Sequence, residues 1–300
     1  MDNIHSNLQM KSSMIANIRL VISVLLVMLN TALTSLIISF FAIIKLLLPF
    51  GIVKKITVSM ANKTLWGWAT LNLWMLNINN NIEWEIEDGE SLSQDNWYLL
   101  LSNHVSWADI VILSSVMKDK IPMTKFFLKH ELLYVPFVGL ACWGADMPFM
   151  RRDPERREDD FKAIQKSCEN FRAVPTTVVN FVEGTRATPE KLKEARTPYQ
   201  HLFKPKVGGI AFTLSAMGEL FDGIVDVTLA YPDNQESPFI DMLQGKLTKV
   251  VVRINLHPND EKVNGDYFGD KTFKRGFHKW VNDLWKEKDE YLQGVLKTKE

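Results

Sequence analysis

The sequence is poor in cysteine. Cys142 and Cys168 are its two thiols in 300 residues. They are widely separated, with no C-x-x-C pair and no nearby pair of histidines, which excludes a disulfide framework and a zinc site. Reduced thiols and no bound metal are the expectation, in a cytoplasmic environment. An excess of charge of one sign is also lacking, since 35 basic residues face 35 acidic ones. A nucleic-acid binder carries a Lys/Arg surplus along its contact surface, so that class is excluded and any anion must be held locally. There is no P-loop, no Rossmann glycine fingerprint, no G-x-S-x-G elbow, no internal repeat and no low-complexity tract. At 46% hydrophobic residues, the chain is long enough to build a sizeable core.

Its apolar residues are unevenly spread. Leu20 to Ile44 carries no charge between Arg19 and Lys45. At about 1.5 Å per residue, such a helix is long enough to cross a hydrocarbon layer of about 30 Å. Asn30, Thr31, Thr34 and Ser35 dilute the signal without removing it. No small-residue cleavage site follows, so a retained anchor is expected. A second segment, from about Ile56 to Ile78, holds Lys63 as its one charge and crowds Trp66, Trp68 and Trp74 together. Tryptophan favours the headgroup boundary, which suggests an interfacial helix, although a core helix has the same composition. The chain therefore divides into a membrane-associated helical segment, residues 1–80, and a globular domain, residues 81–300.

Beyond Asn80, short apolar runs alternate with longer amphipathic ones, the signature of an α/β fold. Strands are expected at Ile82–Ile86, Trp97–Leu101, Thr176–Val182, Ile224–Ala230 and Lys249–Leu256. Helices are expected at Trp107–Met117, Arg156–Phe171, Gly209–Met217 and Thr272–Tyr291. The stretch from Pro189 to Pro205 reads as a long surface excursion.

The chemistry begins directly after the strand at Trp97–Leu101, in Ser102-Asn103-His104-Val105-Ser106-Trp107-Ala108-Asp109. Five residues on one helix rotate about 140°, so His104 and Asp109 cannot share a helical face. They meet only if the histidine lies in the strand-to-helix turn and the aspartate in the first helical turn. Ser106-x-x-Asp109, which resembles a capping box, places a helix start there. Asp109 then either caps the helix or orients the imidazole as a general base toward a substrate hydroxyl. In the second case the substrate alcohol is the nucleophile, as in acyl transfer to a hydroxyl. The second constellation, Phe181-Val182-Glu183-Gly184-Thr185-Arg186, also ends a strand. There the glycine permits close backbone approach and the arginine suits phosphate. Taken alone, it reads first as a strand-to-loop turn with a solvated arginine.

Together the two blocks resemble the glycerolipid acyltransferase family of lysophosphatidate acyltransferases. Asn103, His104 and Asp109 match its N-H-x4-D block, and Phe181 with Glu183 to Arg186 matches F-P-E-G-T-R. Lys129 to Gly139, Phe149-Met150-Arg151, Lys206-Val207-Gly208 and Leu229 to Pro232 are similar to its remaining blocks. Val182 and Met150 depart from the usual proline and aspartate, both in blocks that hold the acceptor.

The resemblance implies a mixed central sheet flanked by helices, the glycerolphosphate acyltransferase fold. It implies that His104 is the base and Asp109 its partner, and that Arg151, Glu183, Gly184, Thr185, Arg186 and Lys206 bind the acceptor. The implied reaction moves a fatty acyl group from acyl-CoA or an acyl carrier protein to a lysophospholipid, with 1-acyl-sn-glycerol 3-phosphate the foremost acceptor. No cofactor or metal is implied. The implied location is a bacterial inner membrane with the catalytic domain facing the cytoplasm. Backbone amides at Gly208 and Gly209 or at the Ser106 helix start are candidate oxyanion donors by position. The apolar run Leu132 to Met150 suits an acyl groove or plain core. Arg152, Arg156 and Arg157 suit donor phosphates or a solvated helix start. Another lysolipid headgroup, a thioesterase or phospholipase using water, and a non-catalytic membrane scaffold are the competing readings.

Overall fold

The computed structural model describes residues 2–296, apart from Pro49, Gly89, Glu90, Pro136 and most of 151–173. Two long helices open the chain, α1 (Asp2–Leu47) and α2 (Gly51–Asn79). The α/β body follows as β1 (Glu83–Asp88), β2 (Tyr98–Ser102), α3 (Ala108–Met117) and β3 (Thr124–Phe126). Next come β4 (Leu128–Lys129), α4 (Val138–Gly144), β5 (Phe149–Met150), β6 (Thr177–Phe181), α5 (Pro189–Glu194) and α6 (Val207–Met217). The chain closes with β7 (Gly223–Ala230), α7 (Pro238–Gln244), β8 (Lys249–Pro258) and α8 (Lys271–Val295). All five expected strands form, shifted by a residue or two at their ends. The helices expected at Trp107, Gly209 and Thr272 form as α3, α6 and α8. Most of the helix expected at Arg156–Phe171 lies outside the described residues. Strands β3, β4 and β5 span two or three residues each, too few to show a period.

Six strands make one sheet in the order β1-β8-β7-β2-β6-β3. Every neighbouring pair is parallel except β7 with β8, so the sheet is mixed. Strand β2 is buried along its whole length, and its side chains alternate between two cores. Leu99 and Leu101 pack with Val178, Ile210, Leu214, Phe277 and Trp285, under α6 and α8. Tyr98 and Leu100 pack on the opposite face with Ile112, Leu113, Val225 and Leu243, under α3 and α7.

The long helices are fastened to this body. Leu20, Val24, Val27, Leu73 and Leu76 join the core beneath α3 and α7. Asn79 Nδ2 donates to the carbonyls of Met242 and Leu243, and Asn80 bonds Met242 and Leu247 of the same segment. The polar residues that dilute the α1 hydropathy are explained by this packing. Asn30 donates to Asn72 Oδ1 and the Trp68 carbonyl, and Thr31 accepts from Trp68 Nε1, while Thr34, Ser35 and Ser39 are buried. Trp68 therefore faces α1, whereas Trp74 is exposed. The remaining faces of α1 expose Val21, Leu25, Met28, Leu29 and Phe40. The apolar part of α1, Ser13–Leu47, is long and apolar enough to cross a membrane.

Where α2 meets the body, Lys125 of β3 is buried, and its Nζ donates to Asn62 Oδ1 and the Ala145 carbonyl at 2.6 Å each. Burial lowers its pKa to about 8, opposed by the charge of Asp146.

Candidate active site

Strands β7, β2 and β6 are adjacent and parallel, so their carboxyl ends open on one edge, the usual ligand crevice of an α/β sheet. Immediately beyond them lie Tyr231, Asn103-His104 and Val182 to Arg186. Asn103 is buried and clamps β2 to β7, donating to the Leu229 carbonyl at 2.9 Å and accepting from the Leu229 N–H at 2.8 Å. The Val182 N–H bonds the Ser102 carbonyl, joining β2 to the end of β6. These bonds fix where the chain leaves the sheet and therefore where His104 stands.

The turn brings the expected pair together, with His104 Nδ1 2.8 Å from Asp109 Oδ2. Asp109 is fully buried, and the His104 side chain keeps 13% exposure, enough to reach substrate. Asp109 Oδ2 also accepts from the Val105 and Ser106 N–H groups at 2.7 and 2.9 Å. Its Oδ1 accepts from the Tyr231 hydroxyl at 2.7 Å. The backward bond to Ser106 is half of the expected capping box, so capping and orientation are both carried by one carboxylate. Burial beside Asp109 raises the Tyr231 hydroxyl pKa well above its ordinary value. The imidazole lies flat on Phe181, with ring centroids 4.0 Å apart.

Glu183 differs from expectation. It is buried rather than open to an acceptor, and both its oxygens are taken by backbone. Oε1 accepts from the His104 N–H at 2.9 Å and Oε2 from the Phe203 N–H at 2.8 Å. Burial raises its pKa to about 7, and those two bonds oppose the rise. A carboxyl in this position holds His104 from behind; it does not present itself to a phosphate.

Gly184 has φ of +65°, a conformation that favours glycine, and Lys206 lies across it, so a Cβ there would meet the Lys206 Nζ at 2.9 Å. Thr185 is exposed and accepts from Lys191 Nζ at 3.3 Å. The Arg186 guanidinium stacks on the exposed ring of Trp107, 4.9 Å from its centroid. The Ala187 N–H bonds the His104 carbonyl at 2.7 Å, so the arginine segment is tied to the histidine turn. Arg151 lies outside the described residues, as do Arg152, Arg156 and Arg157.

Of the candidate oxyanion donors, the Gly209 amide is already engaged by the Lys206 carbonyl. The Leu132 to Met150 run is not a closed groove, since Leu132, Tyr134, Val135, Phe137 and Trp143 are exposed. No cluster of His, Cys, Asp and Glu suited to a metal occurs among the described residues. The sequence reading missed Tyr231 as a partner of Asp109 and Glu183 as a support of His104, because both contacts join different strands.

Residues 83–231 match the family model described as Acyltransferase. The 1-acyl-sn-glycerol-3-phosphate acyltransferase 3 of Arabidopsis thaliana is 28% identical over 73% of this chain and 59% of its own length. The human 1-acyl-sn-glycerol-3-phosphate acyltransferase delta is 25% identical over 58% of this chain and 46% of its own. The chain thus spans about half the length of these relatives. The crystal structure of the 1-acyl-sn-glycerophosphate acyltransferase PlsC from Thermotoga maritima covers 92% of this chain and 98% of its own. It superposes with a TM-score of 0.53 at 16% identity, which places the two in one fold.

Proposed function

Because this chain belongs to the acyltransferase family through residues 83–231, we propose that it transfers a fatty acyl group from a thioester to the free hydroxyl of a lysophospholipid. The proposed acceptor is 1-acyl-sn-glycerol 3-phosphate. The observation that carries the reading is the 2.8 Å contact between His104 Nδ1 and a fully buried Asp109, at the mouth formed by β2, β6 and β7. Three further donors converge on Asp109, from Val105, Ser106 and Tyr231, so it acts as an acceptor. Nδ1 then carries the proton, and Nε2 is left to take one from the substrate.

In this reaction the acceptor hydroxyl gives its proton to His104 Nε2 as its oxygen bonds the thioester carbonyl carbon. Collapse of the tetrahedral intermediate breaks the C–S bond, and the imidazolium returns the proton to the departing thiolate. Asp109 stabilises the imidazolium between these steps. Arg186, held on Trp107, and Lys206, lying across Gly184, supply cationic charge for the acceptor phosphate in a protein with no net charge. Arg151 belongs to the same proposal by its place in the sequence. The exposed apolar face of α1 suits a bilayer that holds both acceptor and product, so a membrane location with the site at the interface completes the reading.

His104→Ala is expected to abolish diacyl product while leaving the unfolding temperature within a few degrees of wild type. The measurement is lipid mass spectrometry of an incubation with acyl thioester and lysophosphatidate. Equal product from both proteins would refute the base assignment, and free fatty acid in place of diacyl lipid would indicate a hydrolase.

A further inference from the structure

The contact between His104 and Phe181 differs from the other ring contacts of the protein. The imidazole and the phenyl ring lie nearly parallel, at 16°, with centroids 4.0 Å apart. The other ring pairs between described residues stand 5.2–6.2 Å apart. Those distances fall inside the range of about 4.5–7 Å at which neutral aromatic pairs settle, and the His104 contact falls below it. Phe181 thus sets its π face against the ring that changes charge in the proposed reaction.

The placement is built by the sheet. Phe181 is the last residue of β6 and pairs with Ser102 of β2, two positions before His104. The Val182 N–H continues that pairing by bonding the Ser102 carbonyl. On its other side, the Phe181 ring is backed by Phe126 of β3, with centroids 6.0 Å apart and planes at 22°. Both phenyl rings pack against the core beneath α3. Three adjacent strands, β2, β6 and β3, therefore fix the ring beneath the imidazole.

Two consequences follow for His104. Asp109 meets the imidazole at Nδ1. A hydrogen bond tolerates about 30° of bend, so Asp109 alone leaves the ring plane loosely set, and a face contact fixes the direction in which Nε2 points. When Nε2 takes the acceptor proton, positive charge spreads over the ring. An aromatic face attracts a cation through its quadrupole and gives less to the neutral ring, so this contact strengthens on the way to the transition state. That is the condition under which an interaction accelerates a step. A residue placed there only to fill the core needs volume and no π face, and leucine supplies as much.

We propose that Phe181 is a positioning residue of this site, whose ring face sets the plane of the His104 imidazole and stabilises the imidazolium formed as it takes the acceptor proton. The proposal rests on the acyl-transfer reading above and adds a residue that acts through the base.

The test uses the full chain in mixed micelles with lysophosphatidate and palmitoyl-CoA. Phe181 is replaced by mono-, tri- and pentafluorophenylalanine, which drain charge from the ring face at nearly constant shape, and separately by leucine and tyrosine. Diacyl lipid formed in a single turnover reads the chemical step, steady-state KM reads binding, and thermal unfolding controls for packing. The single-turnover rate is expected to fall stepwise with fluorination, by about 3- to 30-fold at the pentafluoro ring, with both KM values within about twofold of wild type. Phe181→Leu should lose at least as much, and Phe181→Tyr, which keeps the face, should recover most of that loss. A rate that stays flat across the fluorinated series, even if Phe181→Leu is slow, would reduce Phe181 to packing and overturn the proposal. A rise in KM at constant single-turnover rate would assign the ring to substrate contact and likewise overturn it. Both results leave acyl transfer intact, whereas a wild type that forms no diacyl lipid would defeat the acyl-transfer reading and this proposal with it.

Discussion

Replacing Asp109 with asparagine separates the two jobs of this carboxylate. Its Oδ2 faces two backbone N–H groups and His104 Nδ1, and its Oδ1 faces the Tyr231 hydroxyl. Asparagine keeps the shape but has one acceptor and one donor. If the amide NH2 took the Oδ2 position, it would oppose the Val105 and Ser106 donors and leave both unsatisfied. That arrangement costs about 1–3 kcal/mol for each buried donor. The amide oxygen must therefore sit at Oδ2, where it still accepts from Nδ1 and preserves the productive tautomer, while its NH2 donates to the Tyr231 oxygen. What is lost is the excess of a charge-assisted bond over a neutral one, about 1–1.5 kcal/mol, which converts to a fall of about 5- to 13-fold in kcat. That is well short of the loss on the order of 10⁴ that accompanies a wrong tautomer. Initial rates of diacyl product formation, with thermal unfolding as a control on folding, measure the difference. An unchanged rate would mean that Asp109 only caps α3. A loss near 10⁴ in a protein with normal unfolding would mean that the backbone donors do not fix the amide, refuting the reasoning.

Two other outcomes follow from the site. Arg186→Ala should raise the acceptor KM about 10-fold or more with a smaller change in kcat, because the guanidinium is assigned to ground-state and transition-state phosphate alike; an unchanged dependence on lysophosphatidate concentration would contradict it. Glu183 titrates at about 7 in the fold against an ordinary 4.5, chiefly because it is buried. The fold therefore holds that proton more tightly than the unfolded chain does. The resulting stability is full below about pH 4.5, is lost as pH climbs to about 7, and amounts to on the order of 3 kcal/mol. Glu183→Gln has no such proton to lose, so its unfolding free energy relative to wild type should improve between pH 5 and 8. A constant difference across that range would refute the buried-carboxyl account.

The local order of the chain was legible in the sequence. Period and length separate strands from helices after Asn80, and the 25-residue apolar run marks α1. The His104–Asp109 spacing, read against helical rotation, requires a bend between a strand and a helix start. These are consequences of chain geometry over ten residues or fewer, or of one continuous helix, and need no knowledge of what lies opposite. What lies opposite was decided by the fold. That Asn30 bonds α2, that Glu183 turns inward to hold His104, and that Tyr231 completes Asp109 all depend on partners 38 to 122 residues away. Side-chain chemistry supplies the donors and acceptors, but only the parallel register of β7, β2 and β6 brings their three ends to one edge. Hydrogen bonds are satisfied in space, so a carboxylate destined for substrate and one destined for backbone look alike until the strands are paired.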